Sequence, residues 1–139
     1  KDSVQFRFSS TGRNAVDVAK CASGGEMSRI MLALKAMRAR FAKMPTMIFD
    51  EIDTGVSGRI ADAMGDIIAR LAESMQIVDI THLPQVASKS GAHFVVYKEG
   101  GHTNIRPLSN SERVDEIAKM LSGSEITDAA RKQAKILLG

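Results

Sequence analysis

Apolar and polar positions along this chain fall into short periodic runs separated by turn signals. Val4-Gln5-Phe6-Arg7-Phe8 alternates, which predicts a half-buried strand. A polar loop is expected from there to about residue 22. Met27, Ile30, Met31, Leu34, Met37 and Phe41 then recur at spacings of three and four. That stripe predicts an amphipathic helix from about 24 to 43, its bulky side chains toward the core and its end set by Pro45. Ser23 and Glu26 stand in the register of a capping box at its start. Thr46 to Asp50 reads as a strand that runs straight into two carboxylates, Asp50 and Glu51. A glycine-bearing turn, Asp53 to Gly58, leads to a second helix marked by Ile60, Met64, Ile67, Ile68 and Leu71 and ending near Ser74. Gln76 to Thr81 is a further strand, followed by His82-Leu83-Pro84. Ala92 to Lys98 and Thr103 to Leu108 flank Glu99-Gly100-Gly101-His102 and read as a hairpin. Two closing helices are predicted, one by Val114, Ile117, Ala118 and Leu121, the other over residues 125–138 after Gly123. No internal repeat or low-complexity linker is present.

Strand, helix and strand between residues 46 and 80 make a βαβ unit, so those two strands should run parallel and end together. Ligands in open α/β sheets sit beyond the carboxyl ends of the strands. Here one end carries Asp50 and Glu51 and the other Thr81 and His82. Carboxylates are rarely buried unless paired or bound to metal, so a strand ending in two of them points to a functional edge, although a solvated turn is the plainer reading. The first helix should lie antiparallel to its strand. At about 1.5 Å per residue it spans roughly 30 Å against roughly 17 Å for the strand, so its amino end should overshoot the edge. Ser23-Gly24-Gly25 would then point outward with free N–H groups, a cradle for a phosphate held by another molecule, or else an ordinary helix cap. The expected fold is α/β, a parallel βαβ core with a β-hairpin and two closing helices, in a single domain over residues 1–139.

Composition narrows the function classes. At 139 residues, 44% hydrophobic and 25% charged, the chain is of ordinary globular make-up, with a core of Ile, Leu, Val, Ala and Met because aromatics are only 4%. No apolar run approaches a membrane span, and a cytoplasmic location with no membrane partner is expected. The single Cys21 cannot form an internal disulfide, and three histidines leave no zinc spacing. A formal charge of +3 permits contact with nucleic acid without arguing for it. The densest basic stretch, Lys35, Arg38, Arg40 and Lys43, reads as a solvated helix face. Because the chain opens on Lys1, it is expected to be a piece of something longer.

Four motifs in order resemble those of ABC-type ATPases. Ala22-Ser23-Gly24-Gly25-Glu26 is similar to the signature motif, Met47 to Glu51 to a Walker B strand, Asp53-Thr54-Gly55 to a D-loop, and His82 to the switch histidine. The longer strings from Ala22 to Ile30, Phe49 to Gly58, Thr81 to Ala87 and Glu112 to Leu121 resemble the carboxy-terminal part of the RecN family of bacterial DNA-repair proteins, relatives of the SMC proteins. The resemblance implies an ABC-type P-loop NTPase head in which two heads sandwich ATP and Mg²⁺ at a homodimer interface, with DNA as a further partner and the nucleoid as the place of action. It implies that Asp50 helps hold Mg²⁺ through water, that Glu51 orients the attacking water, and that His82 contacts the γ-phosphate or that water. It implies that Ser23, Gly24, Gly25 and Glu26 meet the nucleotide of the opposite head, and that Asp53, with Thr54 and Gly55, couples the two sites. Ser28 and Arg29 are assigned helix packing or interface contact.

Two departures set limits. No G-x-x-x-x-G-K-[ST] occurs, and no long heptad segment occurs. The phosphate-cradling Walker A lobe and the coiled coil would have to come from sequence amino-terminal to this chain. The expected entity is therefore the carboxy-terminal lobe of a head, a poor ATP binder that does not hydrolyse ATP alone. It is also expected to expose an apolar patch where the missing lobe sits. A stand-alone scaffold of the same shape is the alternative, and a transporter-type lobe a more distant one.

Overall fold

The computed structural model describes residues 3–9, 12–18, 24–123 and 125–139, with residue 40 described by its backbone alone. Cys21, Ala22 and Ser23, including the cap assigned to Ser23, lie outside the described residues. Two short strands, β1 (Arg7–Phe8) and β2 (Val16–Asp17), pair antiparallel. The first strand is thus shorter than the alternation from Val4 suggested, and Val4 and Phe6 are exposed. Its partner comes from the segment expected to be loop. A two-residue ribbon has no second layer to bury against, so the alternation finds no core to face.

The main body begins with α1 (Gly24–Ala42), followed by β3 (Thr46–Asp50), α2 (Gly58–Ala72) and β4 (Gln76–Ile80). β3 and β4 pair parallel, from Thr46 opposite Gln76 to Asp50 opposite Ile80. Met47 and Phe49 point into the core and Ile48 points away, the two-residue period of a strand with one face covered. Phe49 is fully buried, a contribution of about 1.5–3 kcal/mol by apolar area. α2 covers that side with Ala61, Met64, Ile68 and Leu71, while Ile60 and Ile67 remain partly exposed.

α1 corrects the expected orientation. Its buried positions are Gly25, Leu32 and Ala39, with Ala36 partly buried against the same core. Met31, Leu34, Met37 and Phe41 lie on roughly the opposite side, Phe41 being 86% exposed. The face that joins the core thus carries Gly25, Leu32, Ala36 and Ala39, and the bulky stripe is left outside. The Lys35 ammonium lies 5.4 Å from the centroid of the Phe49 ring, its stem laid over the core.

A one-turn helix that the sequence reading did not anticipate, α3 (Pro84–Ala87), follows β4, with Pro84 at its start. It packs on α2 at Gly65, where an added Cβ would meet the Gln85 carbonyl at 3.1 Å. Lys89 then ties back to α2 through Asp62 and Asp66 at 3.0 and 2.9 Å. The hairpin β5 (Phe94–Glu99) and β6 (His102–Pro107) leads to α4 (Asn110–Ser122) and α5 (Asp128–Leu138). Ile117, Ala118, Ala130 and Ala134 form a second, smaller core between these helices, and Ala87 of α3 packs on it.

Candidate functional site

β3 delivers Asp50 and Glu51 to the carboxyl edge, and both side chains are exposed there. The Glu51 amide donates to the Ile80 carbonyl at 3.0 Å, so the chain leaves the sheet only after Glu51. Glu51 then adopts φ 47, a left-handed conformation that costs a non-glycine residue on the order of 1–2 kcal/mol. Its carbonyl accepts from the Thr54 amide at 3.2 Å and the Thr54 hydroxyl at 2.8 Å, closing the turn that maintains this conformation. Periodicity alone contains no sign of that strain.

On the neighbouring strand the chain continues from Ile80 through Thr81 to His82, whose side chain is exposed. Glu51 and His82 therefore leave the same edge of the same strand pair. Asp53, by contrast, is 1% exposed. Its Oδ2 accepts the Thr81 hydroxyl hydrogen bond, and Thr81 Oγ1 in turn accepts from the Leu83 amide at 3.0 Å. Beneath them on β4, burial followed by the nearby Asp53 charge pushes the Asp79 carboxyl up to about 6. Asp53 Oδ1 and Asp79 Oδ1 are buried without a hydrogen-bond partner among the described residues.

The amino end of α1 reaches this edge. Ser28 Oγ donates to the Gly24 carbonyl at 2.9 Å and lies 3.4 Å from the Thr54 carbonyl, stitching α1 to the turn after Glu51. Gly25 is buried against Gly55, and a Cβ on Gly25 would come within 2.6 Å of the Gly55 carbonyl oxygen. Gly24 is exposed with nothing within 4 Å of an added Cβ. Glu26 sits in the first turn of the helix and is partly buried. Thr54 and Gly55 are exposed at the rim, whereas Arg29 lies along the α1–α2 groove with Leu32, Ile60 and Met64.

Local sequence motifs identified the rim but missed its internal wiring. A hydroxyl preceding His82 or an aspartate inside a strand has no periodic signature, so Thr81 as the hydrogen-bond partner of Asp53, and Asp79 as its buried like-charged neighbour, emerge only in three dimensions. Among the described residues no group of three or more His, Cys, Asp or Glu side chains is placed to hold a metal. A lone exposed carboxylate such as Asp50 still fits Mg²⁺, which binds proteins through one or two carboxylates while phosphates and water fill the remaining positions.

The fold is that of SMC head domains. The SMC head domain with coiled coil and joint from Pyrococcus yayanosii superimposes with a TM-score of 0.70 at 22% identity, covering 80% of this chain and 21% of that one. A structure from work on ATP-driven dimerization and DNA-stimulated activation of SMC ATPases gives 0.68 at 19% identity over 82% of this chain and 70% of that one. In sequence, the chain is homologous to the carboxy-terminal part of proteins named DNA repair protein RecN. It is 45% identical to that of Mycobacterium leprae over 99% of this chain and 24% of the relative. The Bacillus subtilis protein is 44% identical over 99% and 25%, and that of Rickettsia conorii 44% over 99% and 26%. The chain thus spans about a quarter of the length of these relatives. No family model matches it.

Proposed function

We propose that this chain is the carboxy-terminal lobe of an ATPase head whose ATP binding and hydrolysis, at a head-to-head interface, serve DNA double-strand-break repair and recombination in the bacterial cytoplasm. The observation that carries the reading is the shared edge, where Glu51 is held in a left-handed turn by the sheet and by Thr54, one strand away from the loop bearing His82. In this reading Glu51 orients and polarises the attacking water and His82 contacts the γ-phosphate. Asp50 holds Mg²⁺, which neutralises phosphate charge when bound. The amino end of α1, with Gly24 and Glu26, meets a nucleotide seated on the opposite head, and the motif assigns Ser23 the same role. Gly25 acts one step back by letting Gly55 approach. Contact with the partner head falls to exposed Thr54 and Gly55, with Asp53 bracing them from inside.

The lobe that supplies the Walker A contacts belongs to the amino-terminal part of the longer protein, and DNA is met in that full-length context. Two features favour a missing neighbour. Parallel strands are ordinarily covered on both faces, yet Ile48, Val78 and Ile80 form a bare apolar face here. In addition, α1 is apolar on two opposite sides, as helices buried between layers are.

In the full-length protein, Glu51→Gln should keep ATP binding and trap engaged heads while turnover falls by about 10²–10⁴, the usual worth of a general base. Unchanged turnover would overturn the assignment and leave a scaffold. The isolated 139-residue chain should bind ATP weakly and turn none over; submicromolar affinity or sustained hydrolysis would contradict the two-lobe reading.

A further inference from the structure

We propose that Asp53, Thr81 and Asp79 form an interior latch that fixes the Glu51 turn against the His82 loop, with Thr81 as its pin and Asp79 as the group that tightens or loosens it on gaining or losing a proton. The proposal rests on the reading of Glu51 and His82 given above. Two segments meet at Thr81 Oγ1. It donates to Asp53, two residues after Glu51, and accepts from the Leu83 amide, one residue after His82. A single hydroxyl therefore spans the two loops that carry the proposed chemistry. Thr81 touches no reacting group and is a positioning residue.

Asp79 lies beneath that pin. Its register partner on β3 is Phe49, over whose ring α1 lays Lys35 at 5.4 Å. The buried side chains that α2 turns inward are apolar, and α3 carries no charged residue. Asp53 is the charged group that acts on Asp79. Each of the two carboxyls has a buried oxygen without a partner. A protonated Asp79 removes the like-charge repulsion beside Asp53, and an ionised Asp79 restores it. Because the Asp79 carboxyl is pushed up to about 6, the latch is closed on the acid side of that value and strained on the alkaline side.

The test is hydrogen exchange of the Leu83 amide in the full-length protein, read as a protection factor so that the intrinsic pH dependence of exchange cancels. Thr81→Val should lower Leu83 protection roughly fivefold to tenfold, the net worth of one hydrogen bond, with α2 amides unchanged and Thr81→Ser restoring it. It should also lower kcat for ATP with little change in KM, which a generally loosened fold would not do selectively. In the parent, protection should fall as pH rises through about 6, and in Asp79→Asn it should be flat across about pH 5–7.5. Undiminished protection in Thr81→Val, or a parental pH profile in Asp79→Asn, overturns the latch. Failure of the underlying reading is distinguishable, because it would appear as unchanged turnover in Glu51→Gln while the exchange results stand.

Discussion

Gly24 and Gly25 are neighbours with opposite surroundings. An added methyl at Gly25 would press on the Gly55 carbonyl oxygen at 2.6 Å, so Gly25→Ala must push the Asp53–Gly55 turn away from α1. Overpacking of this kind costs about 1–3 kcal/mol, and a thermal melt should show that loss. At Gly24 the same methyl meets nothing within 4 Å. Gly24→Ala should therefore stay within about 0.5–1 kcal/mol of the parent, as surface helix positions do. Any loss of head engagement in Gly24→Ala then reports a lost ligand contact rather than a damaged fold. Motif spacing grouped the two glycines as one phosphate cradle, because backbone proximity between α1 and the turn is invisible along the chain.

Helix ends and strand interiors respond oppositely to pH. Ser109 and Glu112 cap α4 reciprocally, the Ser109 amide donating to Glu112 Oε2 at 2.8 Å, and Arg106 pairs with Oε1 at 2.7 Å. These bonds, the Ser109 amide first, hold the Glu112 carboxyl down to about 2. A lowered carboxyl supports the fold above the ordinary value of 4.5 and loses that support as pH falls toward 2. Ser109→Ala should cost about 1 kcal/mol, measured by denaturant melts near neutral pH. Asp79 has the opposite sign. With its carboxyl raised from 3.8 to about 6, the folded state holds the proton more tightly, so its contribution favours folding at low pH and declines as pH rises through that window. Asp79→Asn should flatten the fall in stability between those two values. On α1 the bulky stripe is a genuine helix signal that indicates the wrong face. Period establishes a helix, but Leu32, Ala36 and Ala39 are the α1 side chains that join the core around Phe49.

Among the described residues, apolar faces of both the β3–β4 pair and the β5–β6 hairpin are exposed. Ile48, Val78 and Ile80 face outward from β3 and β4, and Phe94, Val96 and Ile105 share one exposed face of the β5–β6 hairpin. Such surfaces drive association. The isolated chain should self-associate in light scattering, and Ile48→Thr with Val78→Thr should reduce this without lowering its own melting temperature by more than a few degrees. In the full-length protein the same pair should impair ATP turnover if, as proposed above, the amino-terminal lobe packs on this face.

Elements and their edge were readable from residue order because periodicity, turn glycines and strand-end carboxylates act over a few neighbouring residues: the strands ending at Asp50 and Ile80, the helix between them, and the hairpin at Gly100-Gly101 all rest on such local rules. The burial of Asp53, the left-handed turn at Glu51, the charge state of Asp79 and the side of α1 that meets the sheet were decided by tertiary packing. Each depends on desolvation and contact between segments that are not neighbours in the chain, from Lys35 and Phe49 to Glu51 and Ile80, where dielectric and close approach, rather than sequence spacing, determine the energy.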